Sequence, residues 1–196
     1  MKKSLIVILV ILAVVFILYS MFKNTYNNLV TKDEAVTAQW AQVENVYQRR
    51  ADLIPNLVST VKGFAEQEQE VLIGVVEARA KATSMNIDAS KLNETNMQAF
   101  QQAQDGLAGA LSRLMVVVEK YPDLKSNQNF LELQSQLEGT ENRIAVERQK
   151  FNDTTRDLNT YLKRFPQTLF ARMFGFDERP YFEAVKGAEV APKVEF

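Results

Sequence analysis

The chain has 196 residues, with 23 Lys and Arg against 24 Asp and Glu and a net charge of −1. That length suits one membrane anchor and one modest domain, and the balanced charge points neither to a nucleic-acid binder nor to an acidic tail. There is no Cys and no His. Their absence removes thiol nucleophiles, disulfides, the usual zinc sites, the commonest general base near neutral pH and the Glu-x-x-His ligands of di-iron bundles.

The first element is LIVILVILAVVFILYSMF, Leu5 to Phe22, which carries no charge and is long enough to cross a bilayer core. Its roughly fourteen strongly apolar side chains favour insertion by on the order of −4 to −8 kcal/mol. Tyr19 falls where an interfacial aromatic would sit. The alternative is a cleaved signal peptide, but the run exceeds the usual apolar core of one and no small-x-small site follows. Lys2, Lys3 and the amino terminus favour a cytoplasmic N-terminus, against weaker counter-signals at Lys23 and Lys32. The expectation is a tip and anchor over residues 1–25, with the following domain exported.

After the anchor only helical periodicity is found. A first segment, about 26–51, carries Leu29, Val36, Trp40, Val43 and Tyr47 at spacings of three, four and seven. Pro55 in RRADLIPNL has no N–H and disfavours helix at Ile54, so a kink or reversal is expected there. A second segment, about 55–83, has the stripe Leu57, Val61, Phe64, Glu68, Val71, Val75, Ala78 and Ala82. SMNIDASKLNETN reads as a loop at one end of the domain, solvated or available to a partner. Thr95 and Gln98 suggest a capping box for a third helix, about 95–121, with Phe100, Ala103, Leu107, Leu111, Leu114, Val118 and Tyr121 inward. Pro122 follows. The fourth segment, about 127–165, repeats Phe130, Leu137, Ile144, Phe151, Leu158 and Phe165 at seven-residue spacing, a seam that favours left-handed supercoiling. The segments predict an all-α antiparallel four-helix bundle over 26–166. Beyond Pro166, residues 167–196 predict a short helix and an extended tail whose Phe176, Tyr181 and Phe182 could pack back.

Polar residues flank the fourth seam. Glu147 has Arg143 and Lys150 within a turn and reads as a solvated ladder member. Glu141 and Arg148 are two turns apart, about 10 Å by helical rise, too far to pair with each other. If they face inward they need partners on other helices, with Glu44, Arg50, Glu68, Arg79, Arg113 and Glu119 as candidates. The expected set is an interhelical polar network of Glu44, Arg50, Glu68, Arg79, Glu119, Glu138, Glu141, Arg148 and Asn152. A solvated flank is one alternative; a hard-cation site using Glu138 and Glu141 is another, although no calcium-loop spacing supports it. Trp40 reads as core.

The combination RRADLIPNLVSTVKGFAEQE, EARAKA, EKYPDLKSNQNFLELQSQLEGTENRIAVERQKFN, DLNTYLKRFP and APKVEF resembles the bacterial LemA family over nearly the whole chain. The family pattern is matched at Trp40, Arg50, Asp52, Leu53, Pro55, Asn56, Leu57, Glu68 and Arg79. It is matched again at Glu119, Tyr121, Pro122, Leu124, Gln134, Glu138, Glu141, Asn142, Arg148, Asn152 and Pro166. Phe151 departs from it, since the family often has Tyr there. The resemblance implies a membrane helix followed by a soluble antiparallel bundle, and supplies no reaction. The expectation is therefore a non-enzymatic scaffold or adaptor of the envelope, without cofactor or metal, held to lipid through Leu5–Phe22. Its partners would be other envelope proteins or copies of itself. The rival expectations are a self-assembling membrane organiser and a cation- or ligand-binding bundle.

Overall fold

The computed structural model describes residues 2–85 and 87–183. The closing APKVEF, and with it the expectation for the last residues of the tail, lies outside that range. Helix α1 (Lys2–Lys62) is the one helix among the described residues long and apolar enough to cross a membrane. The large apolar side chains from Leu5 to Phe22 stand exposed along it.

Helix α1 does not break at Pro55, contrary to the expectation of separate segments ending at 51 and starting at 55. Proline in a helix interior leaves the carbonyl one turn back without a donor, here that of Ala51. The deficit is met from outside: Arg79 donates its Nε–H to the Ala51 carbonyl oxygen at 2.8 Å. The chain reverses later, through Gly63–Glu68, so α2 (Gln69–Ser84) starts well after Pro55. Phe64, placed by periodicity on a buried stripe, falls in this reversal and is 42% exposed.

A 3₁₀ turn (Ala89–Lys91) leads to α3 (Glu94–Val118). Its cap is Asn93 with Asn96, each side chain accepting from the other's backbone N–H at 3.0 and 2.9 Å, rather than Thr95 with Gln98. Asparagine supplies the same acceptor as Ser or Thr, so the reciprocal box forms two residues upstream. Pro122 does more than end a helix, for it opens α4 (Pro122–Lys125) at the position where a missing N–H costs nothing. Asn127 then caps α5 (Gln128–Lys163) by accepting from Phe130 N–H at 3.1 Å. Five members of the heptad seam, Phe130, Leu137, Ile144, Phe151 and Leu158, are buried. The sixth is not: Pro166 disfavours helix at Phe165, and that ring is 80% exposed. Helix α6 (Gln167–Phe174) ends at Gly175, whose φ of 75° is open to glycine without strain.

Helices α1, α2, α3 and α5 form the antiparallel bundle, but their lengths are far from comparable, at 61, 16, 25 and 36 residues. Helix α2 returns only to the level of Trp40, where the indole Nε1–H donates to the Ile87 carbonyl at 3.3 Å. The four-helix section is therefore distal, and α1 and α5 continue together towards the apolar run of α1. Two apolar clusters fill the interior. The distal one includes Ile54, Leu57, Val75, Leu107, Leu114 and Phe130; the proximal one includes Leu29, Trp40, Phe100, Phe151, Leu158 and Phe182.

The pairing of Pro55 with Arg79 yields a double-mutant test. Arg79→Ala orphans the buried Ala51 carbonyl and is expected to cost about 1–3 kcal/mol. Pro55→Ala restores an N–H one turn on. In denaturant unfolding, the doubly substituted protein is expected to be more stable than Arg79→Ala alone, and equal stability would refute the coupling.

Candidate functional site

The two apolar clusters meet at one polar layer. Reading along each inward stripe, Arg50 of α1 follows Tyr47, Gln104 of α3 follows Phe100, and Thr140 and Glu141 of α5 follow Leu137. Arg50 is 2% exposed. Its Nη1 donates to Glu141 Oε1 at 2.7 Å, and its Nη2 to Gln104 Oε1 at 2.7 Å and to the Gln104 carbonyl at 3.3 Å. Gln104 passes the chain on, donating Nε2–H to the carbonyl of Ala82 in α2 at 3.4 Å. One guanidinium thus links all four helices. Its plane lies 5.1 Å from the centre of the Tyr47 ring, and its Nε–H is buried with no hydrogen-bond partner. Burial pushes the Tyr47 hydroxyl pKa upward, with Arg148 and Arg50 opposing the shift.

Of the nine expected network residues, only Arg50 and Glu141 are joined directly. Arg79 joins the same level through the Ala51 carbonyl, not through an acid. Glu44 is half-buried beside a cleft of about 270 Å³ bounded by Tyr47, Ala82, Met85 and Gln104, and this burial raises its carboxyl pKa. Glu68 sits at the distal reversal, accepting from the Tyr121 hydroxyl at 3.4 Å with Lys120 at 3.9 Å. Glu119 pairs with Lys125 at 2.5 Å on the surface. Glu138 is exposed and accepts from Gln134 Nε2 at 2.9 Å, and Arg113 is exposed on the outer groove between α2 and α3. These positions share stripes on a helical wheel but differ in height along the bundle. Glu147 corrects the expectation differently. It keeps Lys150 at 2.8 Å but takes Gln39 Nε2 of α1 at 2.7 Å, so it bridges helices as well as decorating one. Those two donors hold its carboxyl below the ordinary range.

Arg148 and Asn152 belong to a second arrangement, which fastens the segment after α6. Asn152 accepts from the Phe182 N–H at 2.8 Å and donates to the Phe182 carbonyl at 3.0 Å. One heptad later, Asn159 brackets Arg179 in the same way, at 2.9 and 2.8 Å. The segment therefore runs antiparallel to α5, with both backbone groups of residues 179 and 182 satisfied by side-chain amides. Arg148 donates to the Glu183 carbonyl at 2.9 Å and lies 4.8 Å above the Phe182 ring. That ring is buried, stacked on Trp40 at 5.9 Å and edge-on to Phe151 at 5.4 Å. Tyr181, by contrast, is exposed and Phe176 only half-buried.

Arg179 fastens the same segment elsewhere. Its guanidinium donates to Asp33 Oδ1 at 2.8 and 3.2 Å and to the Ser90 and Ala89 carbonyls at 2.8 and 3.3 Å. The connection after α2 is a solvated tip only in part: Asp88, Ser90 and Lys91 are exposed, but Ile87 and Leu92 are buried and the Ile87, Ala89 and Ser90 carbonyls are held by Trp40 and Arg179. Three positions of these two arrangements were missed from sequence: Gln104, Asn159 and Arg179. The first two carried a signal, as polar residues on otherwise apolar or heptad-spaced lines. Arg179 carried none. Among the described residues no three acidic side chains converge as a metal site would require.

The architecture is that of a membrane-length helix continuing into an antiparallel bundle pinned by a buried arginine layer and closed by its own C-terminal segment. The LemA family profile matches residues 39–196, and the chain belongs to that family. It is 28% identical to "Magnetosome protein MamQ 2" of Paramagnetospirillum magneticum, over 92% of this chain and 72% of that protein. It is 27% identical to "Magnetosome protein MamQ" of Magnetospirillum gryphiswaldense, over 80% and 64%. Identity to "Protein LemA" of Metamycoplasma hominis is 21%, over 81% and 68%.

Two outcomes are expected for these arrangements. Glu141→Ala leaves a buried guanidinium with Gln104 alone, and should cost about 2–4 kcal/mol, somewhat below a fully buried pair because the Glu141 side chain is 46% exposed. Arg50→Met removes the charge together with its need for a partner and should cost less; the reverse order in chemical unfolding would refute the layer's electrostatic role. Phe182→Ala should uncover Trp40, the single Trp, and shift its emission to the red. Unchanged emission would mean that the segment does not shield the indole.

Proposed function

We propose that the protein is a non-enzymatic scaffold or adaptor tethered to the cell membrane, with α1 as a single crossing, the N-terminus cytoplasmic and the bundle outside. The observation that carries this reading is where the polar chemistry goes. Arg50, Gln104, Glu141, Arg79, Arg148, Asn152 and Asn159 direct their hydrogen bonds to other parts of the same chain. Two open clefts flank the layer, about 270 Å³ beside Glu44 and about 470 Å³ beside Glu138 and Glu141, and among the described residues no three acidic side chains converge in either. The names of the relatives carry no reaction class to transfer.

What remains for function is surface on a long support. From Phe22 to Lys62, α1 rises about 60 Å, which sets the distal head well clear of the bilayer. On that head Ile73 and Val76 of α2 are 54% and 50% exposed, next to an outer groove of about 660 Å³ shared with α3. This is the face assigned to partner contact.

Photo-crosslinking in living cells from residues 73 and 76 of the full chain tests the reading. Reproducible adducts with an extracytoplasmic domain of another membrane or envelope protein are expected. Adducts with copies of this chain alone would replace the adaptor by a self-assembling protein. Cytosolic adducts would reverse the orientation, and the absence of adducts would remove this face from the proposal.

A further inference from the structure

We propose that α6 is a second, shallow membrane contact: an interfacial foot that inserts Phe165, Leu169 and Met173 among phospholipid headgroups beside the point where α1 leaves the bilayer. The inference rests on the reading of α1 as a membrane crossing. Phe165, Leu169 and Met173 are 80%, 59% and 60% exposed. Leu169 and Met173, four apart, share one side of α6, and Phe165 stands in the turn just before it; three large apolar side chains in water are unfavourable.

The other side of α6 is fixed, and it is fixed to the anchor. The Phe170 and Phe174 rings meet the Phe22 ring edge-on at 5.7 and 5.0 Å, and Phe174 meets Tyr26 at 4.9 Å. Phe22 is the last residue of the uncharged run and Lys23 follows it. Helix α6 therefore lies within about one helical turn of the hydrocarbon boundary. An apolar face at that height meets lipid by continuity with the span itself, without any further partner.

Charge placement agrees. Arg164, three residues before α6, and Arg172, in its last turn, are exposed, while neighbouring Lys163 is occupied by Glu178 at 2.7 Å. An amphipathic helix with arginines beside its apolar face suits the phosphate layer, burying that face roughly 5–10 Å deep. The occupant is thus the anionic phospholipid surface. A second copy covering the same face is the outcome that would displace it.

The chain has no native Cys, so single labels can be placed cleanly. The full chain would be reconstituted in phosphatidylethanolamine–phosphatidylglycerol vesicles with an environment-sensitive fluorophore on Leu12→Cys, Leu169→Cys, Met173→Cys or Val116→Cys. Val116, 66% exposed on α3, is the aqueous control. Labels at 169 and 173 should shift to the blue, resist iodide and lose emission to nitroxide lipids, more to a nitroxide high on the acyl chain than to one near its end. The label at 116 should respond to iodide alone. If 169 and 173 behave like 116, or resist both quenchers as under a protein cover, the foot is overturned. The label at 12 separates the two readings: quenching by the deep nitroxide there keeps the anchor whatever α6 does, and its absence removes the anchor and the foot together.

Discussion

A proline inside a packed helix leaves one carbonyl without its donor, here on the buried face, and four helices are tied together at the height of that deficit. Ala51 is 3% exposed, so water cannot repair the loss. Arg79 of α2 does so instead, and the residue before Ala51 is Arg50, whose side chain reaches α3 and α5. Two consecutive residues of α1 therefore bind it to each of the other three helices at one height. Because the carbonyl is capped from outside, α1 continues past Pro55 and serves both clusters.

The layer also explains why the heptad seam settles on a single register. Apolar residues seven apart are nearly interchangeable, so seam packing alone tolerates a one-heptad slip of α5. Such a slip would bring either Gln134 or Arg148 to the place of Glu141 opposite Arg50. The first leaves a buried guanidinium without a counter-charge and the second sets two cations together, each at a cost of several kcal/mol. Buried ion pairs contribute little net stability against apolar replacements, and their better-attested role is to exclude alternatives of this kind. Glu147 adds a second check higher on the same pair of helices, since its bond to Gln39 also fails on slipping.

How much of this was legible in the sequence follows from whether the signal was local or spatial. The long apolar helix, the helical class and the seam through Leu158 were readable, because hydropathy and periodicity depend on neighbours in the chain. Arg50 and Glu141 were readable as inward charges needing partners. The path of α1 through Pro55 was not, since the donor that permits it comes from Arg79, in another helix. Asn152 looked like a network member because its place on α5 is inward; the backbone it serves arrives from residue 182. Gln104 could have been found as the one amide on an otherwise apolar stripe. Arg179 could not, since a lone arginine in an aperiodic segment implies no contact with Asp33 or with residue 90.

The extended segment meets a geometric need created by the unequal helices. Helices α2 and α3 stop short of the apolar end of α1, so α1 and α5 would otherwise face water across Trp40 and Phe151. A helix in that space would bring its own hydrogen bonds but also a diameter of about 10 Å. An extended strip is thinner, at the cost of leaving its backbone groups unpaired. Asn152 and Asn159 remove that cost at two points about 10 Å apart on α5, close to the length of three extended residues, which is the separation of Arg179 from Phe182. The match of helical heptad to extended triplet lets one stripe of amides hold a strand-like strip, and Phe182 then completes the aromatic packing on Trp40. Because that strip leads directly out of α6, whose aromatic rings meet Phe22 and Tyr26, closure of the proximal core and placement of α6 against the end of the apolar run are a single structural event.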